Sequence, residues 1–427
     1  MEDTERVKVQ FVTREEELKV PEAPIYVPSS LKRYGLSEVV NQLLIQQSGD
    51  DTRKPIPFDF FADGTVLTTS INEHLTSQGL STETTLVLEY ARSILPPSFS
   101  ASYAHDDWIS SVKASKDSNS AIATGSYDGI VRLWEHSEVA DSLAAHSGPV
   151  KAVAWTGPKS LVTGGFDRIL CLWDVEAPKS GKNKISAALQ GHTASVDDVA
   201  AKGSRIVSAS ADTTVRVWST NYKDMPEVDK KPESASTASR KRRKLASASL
   251  PASRLRTSLL TLEGHSAPVT GVTFHNTDDH VVYSVSQDHS IRTWDITTGT
   301  AVDTRTTSFP LLSVTKLDSG LVACGSSARH ITLHDPRSKT NTTQSQLIGH
   351  TNFVVSLAPA PHSSYMLLSG SHDGTARVWD VRANKAVYTI PRQSGEKSAV
   401  YGVDWHNSIG ILSGGKDKQL QINTVSI

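Results

Sequence analysis

A mainly β chain is predicted by three observations: one short phrase recurs at a period near forty residues, strand-and-turn chemistry repeats inside each copy, and a non-repeating stretch precedes them all. The phrase is Tyr127-Asp128-Gly129-Ile130-Val131-Arg132-Leu133-Trp134 in its first copy. Further copies run from Asp167 to Trp173-Asp174, Asp212 to Trp218, Asp288 to Trp294-Asp295 and Asp373 to Trp379-Asp380. Two degenerate copies keep the spacing, from Ala328 to His334-Asp335 and from Asp417 to Asn423. The turn positions are therefore 128, 167, 212, 288, 328, 373 and 417. A period near forty with Trp-Asp endings is the WD-repeat signature of a β-propeller, and seven copies make seven blades.

Each copy reads as short strands joined by tight turns. In the sixth, Tyr365–Ser369 is a strand, Ser371-His372-Asp373-Gly374 a turn with Gly374 free to take positive φ, and Thr375–Trp379 the next strand. Polar residues recur in register. Thr124, Thr163, Ser208, Ser284 and Ser369 each stand four residues before a turn Asp, and Gly191-His192, Gly264-His265 and Gly349-His350 put a His on a loop. A His–Ser/Thr–Asp–Trp chain satisfies polar groups buried between strands. A catalytic triad would not recur blade after blade, and neighbours on one turn, such as Ser371-His372-Asp373, do not face one nucleophile. With no Walker loop, metal-ligand cluster or nucleophile elbow, neither an enzyme nor a cofactor is expected.

The 427 residues carry a net charge of −1. The chain as a whole thus makes no electrostatic case for nucleic acid. Two cysteines, Cys171 and Cys324, cannot build a disulfide framework or a zinc site, which fits a reduced, intracellular setting. No apolar stretch predicts a secretory signal or a membrane span.

One repeat step is 76 residues long (212 to 288). The excess lies in an insertion at about 220–258 rich in Ser, Ala, Pro, Lys and Arg, predicted to be disordered. It contains Arg240-Lys241-Arg242-Arg243-Lys244. Such a run reads as a nuclear localisation signal or an RNA-contacting arm, with a solvated charged loop as the plain alternative.

The last blade, ending near Ile427, has three strands of its own. The segment Ile94–Tyr103, just before the first full repeat, is the spare strand expected to complete it and close the ring. Residues 94–427 then form the propeller and 1–93 a separate domain. In that domain Val7–Val12 alternates as a strand, and Ala23–Val27 offers a second. A helix is predicted over Glu38–Gln47 with Ser37 as its N-cap. Strands at Pro57–Phe61, Gly64–Leu67 and Thr84–Tyr90 follow. Strand–strand–helix–strand–strand–strand is a ubiquitin-like β-grasp order, suited to docking.

Asp417 stands in a repeat with Asn423 in place of Trp. It is either free to pair outside its blade, as a partner-binding residue, or a turn-capping Asp beside Lys418.

Val7–Thr13, Leu31–Ser37, Gly79-Leu80-Ser81 and Leu88-Glu89-Tyr90 resemble the NLE-type ubiquitin-like domain of ribosome-assembly factors. Ile94-Leu95-Pro96-Pro97, Gly125–Arg132 and Ala323–His330 extend the match. The chain resembles the family of WD-repeat subunits of the PeBoW-type complex, the ytm family in fungi. That resemblance implies a non-enzymatic role in maturing the large (60S) ribosomal subunit and its rRNA, in the nucleolus and nucleoplasm. It implies that the propeller binds a Bop/Erb-type WD-repeat protein linked to pescadillo. It further implies that the N-terminal domain docks on midasin, a giant AAA ATPase, for release from the pre-60S particle. The acid of the family's docking motif falls at Glu83, which would complete the coordination of a Mg²⁺ held by midasin's adhesion site. The competing reading is a WD-repeat adaptor of the ubiquitin pathway.

Overall fold

The computed structural model describes residues 5–48, 55–62, 64–79, 81, 84–115, 121–135, 138–144, 146–175, 184–228, 254–338, 345–383, 385–395 and 397–425. The chain divides into two compact units, one built on Met1–Pro96 and the other on Pro97–Trp379 and Ala386–Thr424.

The first unit contains β1 (Arg6–Val12), β2 (Ile25–Pro28), α1 (Arg33–Ser48), β3 (Phe58–Ala62), β4 (Thr65–Val66), α2 (Ile71–Gln78) and β5 (Leu86–Arg92). Its sheet order is β2-β1-β5-β3-β4. The central pair, β1 with β5, is parallel, and the others are antiparallel. This is the predicted β-grasp arrangement. Alternate residues Val7, Val9 and Phe11 of β1 point inward with Phe58, Phe60, Leu88 and Tyr90, and Leu36, Val40 and Leu44 of α1 cover them. The Tyr90 ring meets Phe58 edge-on at 5.5 Å, while its hydroxyl donates to the Leu18 carbonyl and accepts from the Val20 N–H.

Two expectations for this unit are corrected. The helix begins at Arg33, so Ser37 lies inside it and is no N-cap. Ser37 faces the entry to β3, where its Oγ accepts from the Phe58 N–H at 3.1 Å and lies 3.2 Å from the Phe58 carbonyl. One turn on, Asn41 exchanges hydrogen bonds with Ile56 at 2.8 and 3.0 Å. These i, i+4 side chains form a polar seam that satisfies backbone outside the sheet. The second correction is α2, which the strand-only reading of this stretch omits. Ser70 Oγ accepts from the Glu73 N–H, and Gly79 ends the helix at φ 65°.

The second unit is seven sheets, each with a four-stranded antiparallel core. Their first strands are Ile109–Ala114, Val150–Gly157, Val196–Lys202, Val269–Phe274, Leu311–Lys316, Val354–Pro359 and Val400–His406, numbered here as blades 1 to 7. Each first strand touches the next, and the seventh touches the first, so the ring is closed. Blade 7 takes its fourth strand from β6 (Ser98–Ala104), antiparallel to Gln419–Thr424, with Leu420 opposite Tyr103 and Thr424 opposite Ser98. The spare-strand expectation is met here, and the open edge that three strands would leave is removed.

Only part of the insertion lies outside the described residues. Met225 is buried, and Arg256 donates to the Tyr222 carbonyl at 2.9 Å and pairs with Glu227 at 3.2 Å. Leu255–Arg256 runs parallel to Lys184–Gln190 as a fifth strand on blade 2. The expected disorder over about 220–258 is thus corrected at both ends. Apolar Met225 and the stacking of Arg256 on Tyr222 give the stem something to bury.

Candidate partner-binding site

The recurring polar residues form one network per blade in blades 2, 3, 4 and 6. In blade 4 Trp294 Nε1–H donates to Ser284 Oγ at 2.7 Å, Ser284 Oγ meets His265 Nε2 at 2.7 Å, and His265 Nδ1 meets Asp288 at 2.9 Å. Blade 3 repeats this with Trp218, Ser208, His192 and Asp212, and blade 6 with Trp379, Ser369, His350 and Asp373. Blade 2 uses Trp173, Thr163, His146 and Asp167. Burial pushes His265 and His192 below the ordinary imidazole value, against the pull of their Asp partners. Burial also opposes ionisation of Asp288, yet hydrogen bonds from Ser290, the Ser266 N–H and His265 hold its carboxyl down at about 2. In blades 3 and 4 a neutral imidazole with its proton on Nδ1 therefore donates to a carboxylate and accepts the Ser hydroxyl proton.

This relay has the connectivity of a hydrolase triad but not its function. Ser208, Ser284 and Ser369 are all 0% exposed, and each Oγ lone pair is engaged by an indole N–H. No substrate carbonyl reaches them. The glycine of each Gly-His pair lies close against the flexible end of an Arg, which would have to shift to admit a side chain. A Cβ at Gly191, Gly264 or Gly349 would lie 2.6, 2.7 or 2.9 Å from Nη1 of Arg216, Arg292 or Arg377, the Arg two residues before the blade's Trp.

Blades 1, 5 and 7 depart from this network. In blade 1 His105 meets Thr124 at 2.8 Å, but Asp128 pairs with Arg132 at 2.7 Å instead. Burial and the Arg132 charge push His105 down to about 4. In blade 5 Cys324 replaces the hydroxyl, and burial pushes its thiol up. His334, in the Trp position, meets Thr332 at 3.0 Å and is pushed down to about 4 by burial and Arg305.

Blade 7 corrects the expectation for Asp417. Its carboxylate is not free to pair outside the blade: Arg392 Nε and Nη2 donate to its two oxygens, both at 2.8 Å. Arg392 Nη1 also donates to Ser413 Oγ at 2.7 Å. The side chains of Arg392 and Asp417 are 1% and 4% exposed. An Arg here replaces both the His and the Trp of the other blades. The signal was in the spacing, because His-to-Asp separations of 20 to 23 residues in blades 2, 3, 4 and 6 are followed by 25 from Arg392 to Asp417. The same spacing would have found His146, which lacks the preceding Gly.

Glu83 and the basic run Arg240, Lys241, Arg242, Arg243 and Lys244 lie outside the described residues. Beside Glu83, Thr84 Oγ1 donates to the Ser81 carbonyl at 2.8 Å, between the Gly79 helix stop and β5.

The NLE (NUC135) domain family matches residues 7–75, and the WD domain, G-beta repeat family matches 98–135, 137–174, 183–219, 256–295 and 341–380. A solved structure titled "Crystal structure of WD40 beta propeller domain of Doa1" superposes with a TM-score of 0.60 over 77% of this chain and 97% of that one, at 20% identity, which supports the fold. Proteins named "Ribosome biogenesis protein YTM1" are similar along nearly the whole chain. That of Scheffersomyces stipitis is 48% identical over 99% of this chain and 98% of its own. That of Meyerozyma guilliermondii is 49% identical over 98% and 96%, and that of Saccharomyces cerevisiae 46% over 99% and 98%. With an NLE domain, a seven-bladed WD propeller and this full-length similarity, the chain belongs to the YTM1 family of ribosome biogenesis proteins.

Proposed function

We propose that this chain is a non-enzymatic scaffold in maturation of the large (60S) ribosomal subunit and its rRNA. Full-length similarity to ribosome biogenesis proteins carries the reading. The burial of every recurring Ser, Thr and His network supports a holding role for the propeller. In this reading the propeller binds a Bop/Erb-type WD-repeat protein, which joins pescadillo to make a trimeric complex on the pre-60S particle. The N-terminal domain docks on midasin, where the Glu83 carboxylate supplies a hard oxygen to the adhesion-site Mg²⁺. That motor then releases the complex.

Residues 240–244 direct the chain to the nucleus, nucleolus and nucleoplasm, and their charge also suits contact with RNA. Replacing all five by Ala is expected to abolish nuclear accumulation of a fluorescent fusion; unchanged accumulation contradicts the import role. Depleting the chain tests the main reading. Sucrose gradients should show fewer free 60S subunits with accumulation of large-subunit precursor RNA, whereas a normal 60S peak would refute it.

A further inference from the structure

One backbone contact recurs in all seven blades and fixes equivalent surface positions. The N–H before each turn donates to the carbonyl just before the first strand: Tyr127 to Trp108, Phe166 to Pro149, Ala211 to Ser195, Gln287 to Pro268, Ser327 to Pro310, His372 to Phe353 and Lys416 to Ala399. The side chains at these positions are unevenly distributed. Blades 3 and 4 present small or polar residues there. Blades 6, 7 and 1 present Phe353, His372, Lys416, Trp108 and Tyr127, joined by Tyr401 from the first strand of blade 7.

These rings form one arc across three successive blades. Phe353 lies 5.9 Å from His372, and His372 meets Tyr401 edge-on at 5.4 Å. Tyr401 lies 6.1 Å from Trp108 and 6.3 Å from Tyr127, and Trp108 meets Tyr127 at 5.5 Å. The Lys416 ammonium sits 5.4 Å from the Trp108 ring centre. Phe353 is 43% exposed, and the other rings are half-buried. Aromatic surface gathered at one place on a soluble domain marks an interaction site. Its charge selects the partner. Lys397, Lys416 and Lys418 are exposed around it, while Asp128 and Asp106 are both engaged by Arg132.

We propose that this arc on blades 6, 7 and 1 docks an acidic protein segment bearing large apolar side chains. The proposal rests on the reading of the propeller as a protein-holding scaffold and adds where, and to what chemistry, it binds. Protein is favoured over nucleic acid because the rings turn faces and edges to one another rather than leaving open faces for bases.

The test is fluorescence anisotropy of the full chain with a labelled peptide of alternating Glu and Phe. A Glu-Ser peptide, a Lys-Phe peptide and oligouridine serve as comparators. The Glu-Phe peptide is expected to bind best, and Phe353→Ser or Lys416→Glu to weaken it by about tenfold or more. Val302→Ser, at a 67% exposed residue of blade 4's outer strand, should change nothing, and the melting temperature of all three variants should stay put. Equal binding of the Glu-Ser peptide, competition by oligouridine, or unchanged affinity in the arc variants would overturn the proposal. Those outcomes leave the assembly role standing, since 60S production is read separately.

Discussion

Replacing Asp417 by Leu isolates the ion pair that holds blade 7 together. Arg392 then keeps its bond to Ser413 but loses both carboxylate contacts at 2.8 Å, in a site where its side chain is 1% exposed. An unpaired buried guanidinium costs roughly 3–5 kcal/mol when its partner is removed. At about 2–4 °C per kcal/mol for a sizeable domain, the melting temperature should drop by roughly 6–20 °C. Asp417→Lys adds a like charge and should fall at least as far. Loss of partner binding in that variant would therefore report a damaged blade, not a lost contact. The double variant Arg392→Met with Asp417→Leu removes both charges, so it should be more stable than Asp417→Leu alone. Calorimetry of wild type, Asp417→Leu, Arg392→Met and the double variant gives the coupling directly. A melting temperature for Asp417→Leu within a degree or so of wild type would refute the reasoning.

The remaining predictions follow from the same networks. Deleting residues 95–104 removes β6 and should destabilise the whole propeller, since about six strand hydrogen bonds at roughly 0.5–1.5 kcal/mol each are lost and an edge is opened; unchanged melting would sink the closure account. His105 and His334 are held at about 4 against an ordinary 6.5. Between those values the unfolded chain binds protons that the folded chain refuses, so stability present above about pH 6.5 is lost as pH falls toward 4, by up to roughly 3 kcal/mol for each group. Asp198, which burial pushes up to about 6, acts with the opposite sign and offsets part of the loss. His334→Phe should therefore flatten the pH dependence of melting between pH 6.5 and 4. Thr213 follows a turn Asp at φ 70°, a left-handed conformation that costs a β-branched residue about 1 kcal/mol or more. Thr213→Gly should raise stability by about that amount, as urea titration would show. Glu83→Ala should abolish binding to the isolated adhesion domain of midasin and Glu83→Asp weaken it; wild-type affinity in Glu83→Ala would contradict the ligand assignment.

The repeat phrase made the propeller legible because blades 2, 3, 4 and 6 solve one problem with the same atoms. An acid six residues before Trp, with a hydroxyl four residues before the acid, is a complete network once His arrives from the preceding loop. Legibility failed where the atoms changed but the job did not. Arg392 does the work of His in blade 7, and the substitution hid Asp417's partner although the spacing was nearly kept. In the N-terminal unit the β order could be read from alternation, but α2 could not be read from two apolar residues, Ile71 and Leu75. The better signal there was Ser70 with Glu73 three residues on, a capping-box pattern, followed by the Gly79 stop. Ser37 misled for a physical reason: a Ser suits a cap, but its hydroxyl also suits the backbone groups of a buried strand entry. The aromatic arc spans residues from 108 to 416, a cluster that only ring closure brings together.

Affinity purification of the tagged chain from nuclear extract, with identification of bound proteins and RNA, tests the central claim most directly. A Bop/Erb-type protein, pescadillo and large-subunit precursor RNA are the predicted companions. Recovery of ubiquitin-ligase or proteasome subunits without pre-ribosomal material would contradict the account and favour an adaptor of the ubiquitin pathway.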